Sequence, residues 1–354
     1  MYSRRAGVSC APRQEETWLF TRVKGGLRRI FRYEDGIVPN LMAMAFIVAG
    51  YAGGFLLLFS KPVWVWTLGV LILAESMIIS AYFLHELVHH TIFRSKALNA
   101  RVLAAISWVN GACLSSLART EKKHLAHHIQ KADIISFDFR EWLKGHPVIR
   151  RGVAILEWAY FPAVEILMRV MMVIQPFSRS LPHRYRLLTT FIIRSGLWVW
   201  LLYWHWPAAL GYALSLLIMI SVLRFVDAFQ HTYDAFVAEP GSGDPDIPRR
   251  NAAYEEEHTY SNLLSVRWPV CNLLTLNFVY HNAHHALPSM PWHRLRKYHE
   301  SCYPLESRKS SVLPLKDQLI SYHRYRVMRA TGQDGPSGQQ DFMGAVGVSF
   351  LTVF

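Results

Sequence analysis

Four stretches of this chain, residues 40–60, 63–84, 187–204 and 207–223, are apolar for long enough to cross a lipid bilayer. A hydrocarbon core of roughly 30 Å takes about 20 helical residues. In lipid every backbone N–H and C=O must be satisfied inside the segment, so such stretches can only be helices. Only Lys61 and Pro62 separate the first two, and His205 and Trp206 the last two. The expected fold is therefore an all-α integral membrane protein whose four spans form two tight hairpins.

The charge distribution orients that scaffold. Residues 1–39 carry eight Lys/Arg, the turn between spans one and two carries one, and the turn between three and four none. By the bias of basic residues toward the cytoplasm, the N-terminus, the long middle segment and the C-terminal region are expected on the cytoplasmic side of an inner membrane. The rest of the composition agrees, with 52% hydrophobic residues, 18% charged, and 12 Trp, 16 Tyr and 19 Phe to settle at headgroup level. The net charge of +13 comes without a nucleic-acid motif, which leaves an anionic membrane face or an acidic partner. Residues 1–20 lack an apolar core, so no cleavable signal peptide is expected. Three regions result: a basic segment (1–39), a membrane domain (40–327), and a linker with a short apolar tail (328–354). Residues 102–118 read as a re-entrant or surface-lying helix pair. Residues 153–177, broken at Pro162 and carrying Glu157, Glu165 and Arg169 on one side, read as an amphipathic segment lying on the membrane. Residues 239–248 read as a solvent loop.

Histidine carries the chemistry. There are 17, and ten fall at four places: His85-Glu-Leu-Val-His89-His90, His124-Leu-Ala-His127-His128, His231, and His281-Asn-Ala-His284-His285. On a helix, positions i, i+3 and i+4 lie within about 100° of one another, so the second and fourth groups can each aim three imidazoles at one spot. His85 and His89 also share a face, whereas His90 is turned about 140° away if the helix stays regular. Imidazole suits iron, copper and zinc alike. Eight to ten converging histidines exceed what one ion accepts, so two ions are implied, and a zinc hydrolase would need only three or four ligands. Iron is the natural choice if the task is to break an unactivated C–H bond with O₂. The four cysteines are scattered, with no CxxC pair to suggest a structural zinc site.

HELVHH, HLAHH and HNAHH, in this order and between paired spans, resemble the membrane fatty-acid desaturase and hydroxylase superfamily over about residues 40–300. The resemblance implies four spans under a cytoplasmic cap holding two iron ions (Fe²⁺). It implies as ligands His85, His89 or His90, His124, His127, His128, His231, His281, His284 and His285. Asp227 stands where some members place an asparagine that reaches iron through water. The implied activity is O₂-dependent oxidation of a fatty acid or acyl thioester, with desaturation as the first reading. Hydroxylation, or decarboxylation of a free acid to a terminal alkene, would use the same histidines. A histidine-lined metal transporter is the reading from another class, but transporters place ligands near the membrane midplane.

Several other residues have expected roles. No His-Pro-Gly-Gly, ferredoxin-type cysteine set or Gly-x-Gly-x-x-Gly occurs, so electrons are expected from a separate ferredoxin or cytochrome with its reductase. Basic residues around 119–123, 294–297 and 308–309 would steer an acidic donor. Glu86, Asp133, Asp138, Asp234 and Glu255 to Glu257 could hold the second nitrogen of a ligating histidine. Asn262, Asn272 and Asn277 are expected to brace the approach to His281, and Trp292 and His293 to pack. Glu75 is expected to pair with Arg194 or Arg224, because ionisable groups in spans are costly alone. His205 is expected at the outer interface, and His146, His183, His258, His299 and His323 on the surface.

Overall fold

The computed structural model describes residues 26–115, 117–135, 137–178, 183–237, 247–303 and 311–331. Most of the basic N-terminal segment, most of the expected 239–248 loop, Arg308 and Lys309, and most of the 328–354 tail lie outside those residues. A single turn, α1 (Leu27–Ile30), precedes two membrane-length helices, α2 (Ile37–Leu57) and α3 (Val63–Val88). Next come α4 (Lys96–Asn110) and α5 (Leu117–Gln130), a short strand β1 (Asp133–Ile135), and three helices, α6 (Phe139–Lys144), α7 (Pro147–Trp158) and α8 (Ala163–Ser178). The second membrane-length pair is α9 (Arg184–Trp204) and α10 (Trp206–Asp227). The chain then continues through β2 (Ala235–Val237), α11 (Ala252–His258), α12 (His281–Ala286), α13 (Trp292–Cys302) and α14 (Leu315–Thr331).

Among the described residues, four helices are long and apolar enough to cross a membrane, at the places the apolar runs predict. Two run further than the hydropathy suggests: α3 reaches Val88 and α10 reaches Asp227. Their ends are packed in protein, where a polar residue can be satisfied, so helix length there is not set by the hydrocarbon thickness. α3 is the central helix, with 72% of its most apolar stretch buried against only 17% for α9. α9 instead turns Trp198, Trp200, Tyr203 and Trp204 outward, as a lipid-facing helix should.

Close packing in lipid relies on small residues and polar links, since apolar burial offers no gain there. A Cβ added at Gly54 of α2 would stand 2.7 Å from the Leu73 backbone nitrogen of α3, and one at Gly69 would stand 3.0 Å from the Gly54 carbonyl oxygen. The two backbones therefore touch through glycines. Ser215 of α10 donates to the Val70 carbonyl of α3 at 3.0 Å, and Trp66 Nε1 donates to the Pro207 carbonyl at 3.0 Å. His205 accepts the Ala208 N–H through Nδ1 at 3.1 Å, so it caps α10 at the turn that follows α9.

The charged groups settle differently from expectation. Arg224 does not pair with Glu75: its Nη1 lies 2.5 Å from Glu157 Oε2 and 3.2 Å from Glu165 Oε2. Arg194 donates to the Trp108 carbonyl and the Tyr212 hydroxyl, and Glu75 makes no ion pair among the described residues. Pro162 does separate α7 from α8, but Glu157 and Glu165 point into the protein, both buried. Charge spacing showed a polar face; the packing of α7 and α8 with α6 and α14, and the ion pairs to Arg224, turned it inward. His299, expected on the surface, is buried beside Tyr280, with ring centroids 5.1 Å apart.

Candidate metal centre

The site forms where the ends of α3 and α10 meet α5 and α12. His85 lies in the last turn of α3 and His89 caps that helix. His90 then takes a left-handed backbone, φ 56°, which throws its ring out of the cluster. α5 carries His124, His127 and His128 on one face, and α12 carries His281, His284 and His285. His231 follows α10 by one turn and is held by an antiparallel bridge to Thr259. β1 and β2 pair in parallel, Asp133 opposite Ala235, which ties the strand after α5 to the strand after His231. Arg250 reinforces that link by donating to the Lys131 carbonyl at 2.6 Å and to Asp234 Oδ2 at 2.5 Å.

Two groups of imidazoles result. The first is His85, His89, His124, His128 and His284, whose ligand atoms all lie within 4.8 Å of one another. Its Nε2 atoms run in a chain: His89 to His124 at 2.7 Å, His124 to His128 at 3.1 Å, His128 to His284 at 3.2 Å, and His284 to His85 at 3.0 Å. Each Nε2 carries either one proton or one lone pair, so neighbouring pairs along this chain cannot all be hydrogen bonds. A cation at their centre satisfies every lone pair at once. Two nitrogens about 2.1 Å from a common ion and at right angles are about 3.0 Å apart, which the spacing matches. The donor set therefore fits a metal.

The second group is His127, His231 and His285. His127 Nε2 stands 3.2 Å from His231 Nε2, which in turn stands 2.7 Å from His281 Nε2, so His281 belongs to this side. The two groups abut, with the His128 and His285 ring centroids 4.3 Å apart. Two outer nitrogens of this group are held. His127 Nδ1 donates to the Ala132 carbonyl at 2.9 Å, and His285 Nδ1 donates to Glu255 Oε1 at 3.0 Å. Those bonds put the lone pair on Nε2, aimed inward. His285 Nε2 is buried with no hydrogen-bond partner, the position of a ligand atom.

Burial sets the protonation. It pushes His89 down to about 3, with His127 and His90 adding to the effect. It also holds His124, His128, His231, His281, His284 and His285 well below the usual imidazole range. Neutral imidazole is the form that binds metal. Burial raises Glu255, and Lys131, 3.6 Å away, pulls it back toward the carboxylate.

Of the ten histidines expected here, nine come together and His90 does not; its Nε2 faces Glu121 at 3.5 Å. Asp227 closes α10 and belongs to neither imidazole group. Among the carboxylates, Glu255 meets a histidine and Asp133 lies 3.4 Å from His127 Nδ1. Glu86 turns elsewhere, accepting from Thr91 Oγ1 and the Trp292 N–H, while Asp138 caps α6 and Asp234 binds Arg250. The asparagines brace as expected: Asn262 donates to the Val226 carbonyl, Asn277 to the Trp292 carbonyl, and Asn272 bonds Leu264, Ser265 and the Tyr280 hydroxyl. Trp292 packs and donates to Asn40, and His293 meets Asp35. The Ala132 carbonyl and Thr259 were not legible, because a backbone oxygen has no sequence signature and Thr259 is brought to His231 by a long-range bridge.

A search among curated proteins finds no match. Comparison with protein families matches residues 62–309 to fatty acid desaturase, a stretch that contains every histidine of both groups. A membrane-length helical scaffold, two abutting histidine groups that fit metal, and a match across most of the chain agree, and the chain belongs to the fatty acid desaturase family.

Proposed function

We propose that this protein is an O₂-dependent membrane oxidase of fatty acyl chains with two iron ions, and that it desaturates them. The observation that carries this reading is the pair of abutting imidazole groups, each able to hold one ion. His85, His89, His124, His128 and His284 would hold one; His127, His231, His281 and His285 the other. When bound, the iron pair supplies the redox chemistry with O₂ that an unactivated C–H bond requires.

The chain's own residues do the rest. Burial keeps the imidazoles neutral and excludes water, so that oxidising equivalents are not lost to solvent. The Ala132 carbonyl and Glu255 fix the His127 and His285 rings with Nε2 inward. Asp227, one turn before His231, would act through a water. The substrate is a fatty acid or acyl thioester whose methylene is positioned by the helical scaffold, and position decides which bond is broken. Electrons come from a separate ferredoxin or cytochrome with its reductase, on the cytoplasmic side of an inner membrane. The basic run at 294–297 supports an acidic donor.

The test is to supply labelled free acid, acyl-CoA and acyl-lipid with a ferredoxin system and identify products by mass spectrometry. An internal olefin formed with O₂ uptake supports desaturation. A hydroxy acid or a shortened terminal alkene would replace it with hydroxylation or decarboxylation. His284→Ala and His127→Ala should each cut bound iron and turnover while membrane insertion persists. Full activity in both would overturn the ligand assignment.

A further inference from the structure

On α8, one turn beyond Glu165, Arg169 passes its guanidinium beneath the left-handed turn at Gly111, where an added Cβ would stand 3.3 Å from Nη1. Its Nε and Nη2 are buried and meet no hydrogen-bond acceptor among the described residues. These two atoms form the parallel N–H edge that takes a carboxylate in two bonds. The same edge of Arg294 shows the fit: Nε and Nη2 donate to the Asp35 carboxylate at 2.7 and 2.6 Å.

No carboxylate of the described chain fills that role for Arg169. Glu157 and Glu165 both turn to Arg224, at 2.5 and 3.2 Å. Among the described residues Arg194, the other cation in the electrostatic surroundings of Arg169, binds neutral groups: the Trp108 carbonyl at 2.6 Å, the Tyr212 hydroxyl at 3.2 Å and Cys113 Sγ at 3.7 Å. Glu165 acts on Arg169 through its field, but its carboxylate lies against Arg224 and gives Arg169 no hydrogen bond. An unpaired buried cation costs several kcal/mol, so a missing anion is the simplest complement. Arg194 lies within a membrane-length helix, so an anion that carries an apolar tail suits this place. A planar carboxylate on an apolar tail has both properties. Burial and Arg194 pull the Arg169 guanidinium down to about 10, so it stays charged at neutral pH.

We propose that the Nε/Nη2 edge of Arg169, backed by Arg194, holds the carboxylate of a free fatty acid. The inference rests on the acyl-oxidase reading and sharpens it: the substrate is the acid, not its thioester or ester. Glu165, one turn from Arg169, pairs with Arg224 in the last turn of α10, the helix that leads to His231.

The test is equilibrium binding of palmitic acid, methyl palmitate and phosphatidic acid to the purified full chain in detergent. Wild type should prefer the acid over the methyl ester by about 10- to 100-fold, the size of one charged bidentate contact. Arg169→Gln should erase that preference without changing iron content, and Arg169→Lys should keep part of it. Equal binding of acid and ester by wild type, a comparison that needs no variant, would overturn the proposal. So would a preference that survives Arg169→Gln, or phosphatidic acid as the tighter ligand, which would assign the edge to lipid phosphate. Binding needs no turnover, so loss of the oxidase reading would leave the acid-over-ester result standing, and the reverse.

Discussion

Two ring nitrogens facing each other at 2.7 Å, as His89 and His124 do, can share one proton; a chain of them cannot. That is why the imidazole geometry speaks for metal more strongly than the histidine count does. The outer contacts are equally specific. Glu255 lies 30 residues before His285 yet accepts its Nδ1 proton at 3.0 Å. Glu255→Gln keeps the shape but weakens the bond that fixes the ring. Iron affinity should fall by about 10- to 100-fold, read by metal titration, with the fold intact. An unchanged affinity would remove Glu255 from the centre. Sequence spacing identified His85 and His89 as sharing a face and turned His90 away. The left-handed φ of His90, 56°, adds a reason that spacing alone does not contain.

Helices α2 and α3 were legible as a hairpin from hydropathy, but not how tightly they meet. The Gly54 contact, with Leu73 N 2.7 Å from a built Cβ, leaves no room for a side chain. Gly54→Val should therefore cost about 1–3 kcal/mol through overpacking, read as a lower melting temperature in detergent. Gly53, one residue earlier, has open space at its Cβ, and Gly53→Ala should be tolerated. At the other end of the bundle, α7, α8 and α10 are joined by Glu157, Glu165 and Arg224. Arg224→Met should leave two buried carboxylates without their cation and destabilise by about 3–5 kcal/mol. Combining it with Glu157→Gln and Glu165→Gln should recover much of that loss. Failure to recover would mean that Arg224 acts through something other than this triad.

For the molecule as a whole, the buried imidazoles couple folding to acid. Their folded pKa values lie below the unfolded value of about 6.5, and His89 is held near 3. The unfolded chain therefore binds more protons below about pH 6.5, so metal-free protein should lose stability as pH falls from there toward 3. A metal bound by these imidazoles would compete with those protons, and protein loaded with iron should hold its melting temperature to lower pH. Parallel melts at stepped pH check this, and identical curves with and without iron would refute it. By itself the sequence determined the four spans and the imidazoles that can share a helix face, because hydrocarbon thickness and the helical repeat act over a single segment. Tertiary structure alone decided which imidazoles come together, which carboxylates Arg224 takes, and that Arg169 meets no acceptor at its Nε/Nη2 edge among the described residues. Those outcomes join residues far apart in the chain, and only packing of one helix against another sets them.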